Sequence, residues 1–182
     1  MDAQVLVPLK RLEPKSRLAS ALSPEERAEL MCSLLEHVVG EIREAGIERV
    51  TVVTAEPLEG YEVWPDRGLA WNDALAAAIG EVVTAPLVAI VSADLPSLRA
   101  EEVEELLLAT PGRGIAIARA LDGGTNAVAM RPPGLVVTRF GVTASAAVHA
   151  GLGVDHVVLD LPGLAFDVDT PEDLARMQTP CL

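Results

Sequence analysis

The run PLVAIVS at residues 86–92 restricts the fold more than any other feature of this chain. Apolar side chains occupy almost every position in it, so both faces of a strand formed here must be buried. The composition agrees, because 50% of the 182 residues are hydrophobic and only 3% are aromatic. A core of Ala, Val, Leu and Ile suits parallel strands that are covered by helices.

Short apolar runs alternate with helical patterns along the chain. The predicted strands cover residues 4–9, 49–54, 86–92, 114–120, 126–130 and 156–159. The predicted helices cover residues 24–45, 69–83, 100–109, 144–150 and a last segment from residue 171, with a capping box at Ser23 and Glu26 and a loop at residues 64–68. This alternation predicts one α/β domain over residues 1–182, with three layers, a mostly parallel sheet and helices on both faces.

The two lysines of the chain, Lys10 and Lys15, lie with Arg11 and Arg17 in one eight-residue segment. The whole chain has 27 acidic and 14 basic side chains, a formal net charge of -13, so its overall field repels anions. A local cluster of four cations therefore predicts an anion-binding loop. The acidic balance and the few aromatic rings argue against nucleic acid as a partner.

Several other classes of protein are disfavoured. Cys32 and Cys181 are far apart, which argues against a disulfide framework or a CxxC metal site and favours the cytoplasm. No run reaches the roughly 18 apolar residues of a membrane span, so we expect no membrane partner, and the apolar composition would suit a homodimer. P-loop, dinucleotide and nucleophile-elbow motifs are missing, and His37, His149 and His156 are interpreted as packing or surface residues.

Asp94 follows the most apolar strand directly. Ligands of open α/β sheets bind outside the carboxyl ends of the strands, so the cationic loop and Asp94 are expected to open onto one cleft. A carboxylate at the edge of the core needs a cation or several hydrogen-bond donors, and Mg²⁺ would satisfy it. The alternative is that Asp94 caps the following turn or helix.

Asp167 and Asp169 form a second acidic candidate in the segment FDVDTPEDL. The Thr170 and Asp173 pair is explained as a capping box, but the two earlier aspartates are not. In an extended segment they point to one face, where they repel each other unless a cation is present. Asp94 with Asp167 or Asp169 is therefore a candidate magnesium site, although a DxD pair also occurs in many solvated turns.

Two polar loops are candidates for binding an anion. In LDGGTNAVAM, two glycines precede Thr125 and Asn126, which suits either an anion on backbone N–H groups or an ordinary glycine hairpin between two strands. In TRFGVTAS, Gly141, Thr143 and Ser145 precede a predicted helix and can either seat a phosphate or cap that helix.

Asn72 stands in the first turn of the predicted helix at residues 69–83. An asparagine at this position either caps the helix or is free to read the edge of a nucleobase. Both roles use the same side-chain amide, and the local sequence does not separate them.

The motifs VPLKRLEPKSRLA, LAWNDAL, VSADLPSL, DGGTNAVAM, RFG and FDVDTPEDL occur in this order over nearly the whole chain. Together they resemble the 2-phospho-L-lactate/phosphoenolpyruvate guanylyltransferase family, which acts in the biosynthesis of coenzyme F-420. The resemblance implies the fold of nucleotide-diphospho-sugar transferases and molybdenum-cofactor nucleotidyltransferases. It also implies GTP and a small phospho-acid as substrates and Mg²⁺ as the cofactor.

By this resemblance, the triphosphate would be bound by Lys10, Lys15 and Arg17, and the nucleotide also by Asn72. Lys10, Arg17 and Asp94 would serve catalysis, and Asp94, Asp167 and Asp169 would hold the metal. The phosphate of the small acid would be bound by Thr125, Gly141 and Ser145. The family pattern has a serine three residues after the glycine of RFG, where this chain has Ala144, so either Ser145 or Thr143 takes its place.

The implied reaction brings two polyanions together. A phosphate oxygen of the acid attacks the α-phosphorus of GTP and pyrophosphate leaves, so we expect charge neutralisation and positioning rather than base catalysis. Lys10, nearest the strand end, is expected to be the costlier lysine to lose, and Lys15 is expected to act with Arg17 as a mobile clamp. Two alternatives are a molybdenum-cofactor nucleotidyltransferase and a non-catalytic nucleotide-binding domain.

Overall fold

A computed structural model describes residues 1–9 and 15–178, except for the side chain of residue 178. The strands are β1 (Gln4–Pro8), β2 (Val50–Thr54), β3 (Glu62–Pro65), β4 (Val88–Val91), β5 (Gly114–Arg119), β6 (Thr125–Arg131) and β7 (Asp155–Leu159). The α-helices are α1 (Pro24–Glu44), α2 (Trp71–Val82), α3 (Ala100–Ala109), α4 (Ser145–Ala150), α5 (Pro162–Ala165) and α6 (Pro171–Gln178). A 3₁₀ helix covers Ser16–Ser20.

All seven strands form one sheet in the order β3-β2-β1-β4-β6-β5-β7. β6 runs antiparallel to both of its neighbours, and the other pairings are parallel. The predicted mostly parallel sheet is therefore confirmed. Because β6 is reversed, its first residues lie at the same sheet edge as the carboxyl ends of β1 and β4.

The core occupies both faces of this sheet, as the apolar strand at residues 86–92 requires. Alternate residues of β1 point to opposite faces: Val5 and Val7 pack on one side and Leu6 on the other. Helices α1 and α3 cover the first face, and α2 and α4 cover the second. The predicted three-layer arrangement is confirmed, with aliphatic side chains in nearly all core positions.

Local signals gave the helix ends correctly. Ser23 accepts from the backbone of Glu26, whose carboxylate accepts from the Ser23 backbone, so the predicted capping box is present. The hairpin alternative for the glycine loop is also confirmed, because β5 and β6 are joined by a turn in which Gly123 has a φ of +85°. Among the described helices, none combines the length and apolarity that crossing a bilayer requires.

Three elements were not predicted, and one of them is the 3₁₀ helix at Ser16–Ser20. Residues 62–65, partly assigned to a loop, form the edge strand β3, which pairs in parallel with β2 and ends at Pro65. A four-residue strand that ends in proline has too little apolar periodicity to be recognised without its partner. The short helix α5 was missed for the same reason, since its four residues depend on contacts from elsewhere in the chain.

Gly163 in α5 packs against the start of α3. Its N–H donates to Glu102 Oε1 at 2.7 Å, and a methyl group on its Cα would collide with the Glu102 carboxylate and the Ser97 carbonyl oxygen. We therefore expect Gly163→Ala to lower the free energy of unfolding by about 1 to 3 kcal/mol, measured by urea denaturation. The change would also loosen the segment that leads to Asp167.

Gly40→Ala is the matched control. Gly40 lies on the exposed side of α1, and nothing lies within 4 Å of the position a methyl group would take. This variant should gain about 0.5 to 1 kcal/mol, because alanine loses less backbone freedom than glycine in a helix. Equal stability of the two variants would contradict the packing assigned to Gly163.

Candidate active site

A cleft of about 270 Å³ opens at the carboxyl ends of β1 and β4. Its walls come from the end of β1, the 3₁₀ helix, the start of α2 and the segment that follows β4. The lining residues include Pro8, Lys15, Arg17, Trp71, Asp94 and Asp169. The expectation that the cationic loop and Asp94 share one cleft is therefore confirmed for Lys15 and Arg17.

Three carboxylates converge in this region. Oxygen atoms of Asp94, Asp167 and Asp169 all lie within 4.8 Å of one another. The backbone brings them together, because the Val168 N–H donates to the Asp94 carbonyl oxygen at 3.2 Å. Val168 is fully buried and points away, so the aspartates on either side of it face Asp94. The predicted common face of Asp167 and Asp169 is confirmed.

Lys15 supplies the positive charge nearest to these carboxylates. Its ammonium group forms ion pairs with Asp94 and, at 2.6 Å, with Asp169. The side chain is only 8% exposed. Burial acts to lower the pKa of Lys15, but the two carboxylates outweigh it and the pKa is raised, so the group stays charged. Lys15 is held inside the acidic group, not at the rim where a mobile clamp would lie.

The backbone of Lys15 is in the left-handed region, with a φ of 51°. This conformation is uncommon for a residue with a side chain and costs of order 1 kcal/mol. Lys15 adopts this conformation directly before Ser16, at the start of the 3₁₀ helix. The same residue forms the ion pairs with Asp94 and Asp169. Strain of this kind is typical of positions that must present a side chain to a site.

Asp167 is the carboxylate that Lys15 does not contact directly. Burial raises its pKa to about 6, the negative charge of Asp94 adds to the shift, and a hydrogen bond from Asn126 Nδ2 at 3.1 Å opposes it. The shift in the pKa of Asp167 therefore comes first from burial and second from the neighbouring negative charge. Three carboxylates and one ammonium leave two net negative charges in the group.

This donor set fits a divalent cation. Hard carboxylate oxygens are the ligands that Mg²⁺ and Mn²⁺ prefer, and a charge of +2 balances the two net negative charges. The negative charge of Asp94 adds to the raised pKa of Asp167, and a bound cation would oppose this contribution. The Asp94 carboxylate forms an ion pair with Lys15 at the cleft. The alternative that Asp94 caps the following turn or helix is therefore not supported.

Of the other three cations of the predicted loop, Arg17 belongs to the described residues and Arg11 lies outside them. Arg17 is 75% exposed and lies 3.8 Å from Asp169, so it stands at the rim of the cleft. Lys10 lies outside the described residues. The structure therefore brings together Lys15, Arg17 and the three carboxylates.

Asn72 does not cap α2, because the N-cap is Ala70 and no side chain caps this end. Its amide oxygen accepts from the Phe140 backbone N–H and the Thr138 hydroxyl, both at 3.0 Å, and its amide nitrogen donates to the Phe140 carbonyl oxygen at 3.1 Å. Asn72 thus fastens the loop that carries RFG to the start of α2. One amide hydrogen is left for a ligand.

Thr125 and Ser145 lie together at the start of β6 and α4. Ser145 Oγ donates to Thr125 Oγ1 at 3.0 Å, and both residues are buried. Thr143 is exposed. Ala144, between Thr143 and Ser145, takes a left-handed conformation with a φ of 53°. Of the two alternatives, the structure places Ser145, not Thr143, beside Thr125.

Gly141 follows the loop segment that Asn72 holds. Its φ is +78°, a conformation that glycine adopts without strain, and it is exposed. Its N–H follows directly after Phe140, whose own N–H and carbonyl are both bonded to Asn72. The predicted loop residue therefore sits on a fixed backbone.

Comparisons with known proteins place this arrangement in a family. The family model for CofC-like guanylyl transferases matches residues 3–179. The chain belongs to this family. It is 38% identical to a phosphoenolpyruvate guanylyltransferase of Sphaerobacter thermophilus, over 97% of this chain and 93% of that protein. It is 37% identical to a 2-phospho-L-lactate guanylyltransferase of Haloarcula marismortui, over 96% and 84%.

Solved structures confirm the fold. A nucleotidyl transferase from Methanothermobacter superposes with a TM-score of 0.73 at 16% identity, over 97% of this chain and 95% of that one. Rv0371c from Mycobacterium tuberculosis in complex with manganese gives a TM-score of 0.60 at 18% identity, over 97% and 98%. Family membership favours the guanylyltransferase interpretation over the molybdenum-cofactor and non-catalytic alternatives.

The roles of three residues near the cleft were not predicted from the sequence. Trp71 is 37% exposed and lines the cleft beside Asn72. Asn126 holds Asp167. His149 is fully buried against Phe140, which confirms the packing interpretation, but its polar partner at each ring nitrogen was not predicted. The spacing of Ser145 and His149 on one helix face was the available signal.

Asp167 gives a prediction about stability and pH. Since its pKa is raised from 3.8 to about 6, the folded state binds the proton more tightly than the unfolded state, and stability falls as pH rises from about 4 to 6. Asp167→Asn removes the charge. Without added metal, it should stabilise the fold by about 1 to 2 kcal/mol at pH 7.5 and change it little at pH 4.

The measurement is urea denaturation with EDTA at both pH values. Glu104→Gln, on the exposed side of α3, removes one charge outside the acidic group and controls for the general negative charge of the chain. It should change stability by less than about 0.5 kcal/mol at either pH. An Asp167→Asn effect that does not depend on pH would contradict the electrostatic explanation.

Proposed function

We propose that this chain transfers GMP from GTP to the phosphate of phosphoenolpyruvate or 2-phospho-L-lactate and releases pyrophosphate, a step in the biosynthesis of coenzyme F-420. The observation that carries the proposal is the group of Lys15 with Asp94, Asp167 and Asp169 at the sheet edge of a guanylyltransferase-family chain. A reaction between two polyanions needs this combination of cations and metal-binding carboxylates.

The three carboxylates would hold Mg²⁺. When bound, the metal would supply positive charge to the phosphates of GTP and stabilise the charge that develops during transfer. The chain has a formal net charge of -13, so the other parts of its surface repel a triphosphate. Two net negative charges at the site become zero when a divalent cation is present.

The cationic loop would bind the triphosphate. Lys15 is already charged and fixed at the cleft wall, and Arg17 at the rim is free to reach a phosphate. Lys10 would also bind the triphosphate, as the family resemblance implies. Asn72 would contribute its remaining amide hydrogen on the nucleotide side and would also hold the loop that carries Gly141.

The acceptor phosphate would be bound by Thr125, Gly141 and Ser145. One of its oxygens attacks the α-phosphorus, a new P–O bond forms, and the bond to the β-phosphate bridging oxygen breaks as pyrophosphate leaves. No proton has to be removed, because the attacking phosphate is already ionised at neutral pH. Catalysis then consists of alignment and charge neutralisation. A cytoplasmic location suits a chain whose Cys32 is exposed and free.

The substrate assignment predicts a clear preference. Pyrophosphate release should be at least about ten-fold faster with GTP than with ATP, CTP or UTP, because even one misplaced contact to the base costs about ten-fold in rate. The release should also require phosphoenolpyruvate or 2-phospho-L-lactate. A coupled pyrophosphate assay over the four nucleotides and three phospho-acids, with 3-phosphoglycerate as the third, measures it.

EDTA should stop the release and excess Mg²⁺ should restore it, because the three carboxylates would hold the metal and Lys15 offsets only one of their charges. A preference for CTP would indicate a cytidylyltransferase of the same fold. Release without any phospho-acid, or binding of GTP without turnover under all conditions, would contradict the proposed reaction.

The roles of the central ion pair are tested by Lys15→Met and Asp94→Asn. Each should lower kcat/KM by about 10²- to 10³-fold, as expected for losing a group that neutralises charge in the transition state. The matched controls are Arg67→Met and Glu81→Gln, which break an exposed ion pair of 2.7 Å near the far end of α2. The controls should stay within two-fold of the unmodified protein.

Unfolding curves of the four variants separate chemistry from folding. If Lys15→Met or Asp94→Asn kept kcat/KM within a few-fold of the starting value while the protein was folded, the assignment of the triphosphate and metal to this group would be wrong.

A further inference from the structure

His149 is the one described histidine that is completely buried, and both of its ring nitrogens have polar partners. Nε2 accepts the backbone N–H of Arg139 at 2.9 Å, and Nδ1 lies 3.0 Å from Thr125 Oγ1. The ring also packs edge-on against Phe140, with centroids 5.6 Å apart. One side chain thus connects α4, the start of β6 and the RFG loop.

The partner at Nε2 determines the tautomer. A backbone amide can only donate, so Nε2 must carry a lone pair and the proton of the neutral ring is on Nδ1. Burial lowers the pKa of His149; a hydrogen bond with the Ser145 backbone opposes this, and the Arg139 charge lowers the pKa again. The ring is therefore neutral at pH 7, and Nδ1–H is shared between the Ser145 backbone oxygen and Thr125 Oγ1.

Thr125 Oγ1 consequently receives two hydrogen bonds. One comes from His149 Nδ1–H and the other from the Ser145 hydroxyl at 3.0 Å. A hydroxyl oxygen has two acceptor sites and one hydrogen, so both acceptor sites are filled. The hydroxyl hydrogen of Thr125 is not used in these two bonds, so it can be donated to an acceptor such as a phosphate oxygen.

We propose that His149 is a positioning residue for the acceptor substrate: it orients the Thr125 hydroxyl as a hydrogen-bond donor and fixes the backbone of the RFG loop ahead of Gly141. This inference rests on the proposed function, in which Thr125, Gly141 and Ser145 bind the acceptor phosphate. His149 acts through Thr125 and Arg139. Lys15 and Asp94, on the nucleotide side, are held by ion pairs that do not involve His149.

Three variants separate the two hydrogen bonds. In His149→Asn the amide nitrogen can replace Nδ1 and keep the bond to Thr125; in His149→Gln the amide oxygen can replace Nε2 and keep the bond to Arg139. His149→Phe keeps the ring packing and loses both. We expect KM for the phospho-acid to rise about ten-fold in His149→Phe and less in the two amide variants, with KM for GTP within two-fold.

His156→Gln is the matched control, because His156 is an exposed histidine in β7. Both KM values of this variant should be unchanged. A role of His149 in folding alone would lower the amount of active protein without separating the two KM values. An equal rise in both KM values, or no rise in KM for the acid in folded His149→Phe, would therefore overturn the proposal.

The unmodified protein provides a second measurement that does not depend on the variants. A ¹⁵N-edited NMR spectrum of the imidazole nitrogens should show His149 protonated on Nδ1 and unprotonated on Nε2. A proton on Nε2 in an active enzyme would overturn the role of His149 alone. Absence of turnover with the expected tautomer present would overturn the proposed function, and the acceptor role of His149 with it.

Discussion

The ammonium group of Lys15, held between Asp94 and Asp169, is the interaction on which the rest of the site depends. The backbone bond from Val168 to Asp94 forces three carboxylates together, and without a cation their repulsion would separate the segment after α5 from the end of β4. One ammonium offsets only part of their charge. The remaining two charges determine which ligand can complete the site, because a divalent cation fits and a free phosphate does not.

The reversed strand β6 accounts for the second half of the site. In an all-parallel sheet, the start of this strand would lie at the opposite edge, but here it lies beside the ends of β1 and β4. Asn126 can therefore support Asp167 while the preceding residue, Thr125, contacts His149. Two consecutive residues thus connect the acidic group with the buried hydroxyl pair, so the metal side and the acceptor side share one strand as their support.

The sequence predicted those features whose cause is local. The capping boxes, the exposure pattern around Val168 and the boundaries of α1 and α3 follow from spacing within one element, and the structure agrees. Contacts between residues that are far apart in the sequence could not be predicted from spacing within one element. Lys15 meets partners 79 and 154 residues away, and Asn72 binds a loop 68 residues away. Whether a polar side chain is free or already bonded depends on such contacts, which explains why the hydrogen bonds of Asn72 and His149 were not predicted.

The two halves of the site use different kinds of donor, and the proposed reaction gives a reason. On the nucleotide side, full charges of Lys15 and Arg17 are useful because the leaving pyrophosphate gains negative charge. The acceptor phosphate has the opposite requirement, since its attacking oxygen must keep its electron density. A neutral His149, fixed in that state by the Arg139 N–H, orients the Thr125 hydroxyl, which can donate to this phosphate without withdrawing as much charge as a cation would. The burial of a neutral imidazole is thus consistent with a site that must bind one polyanion as leaving group and another as nucleophile.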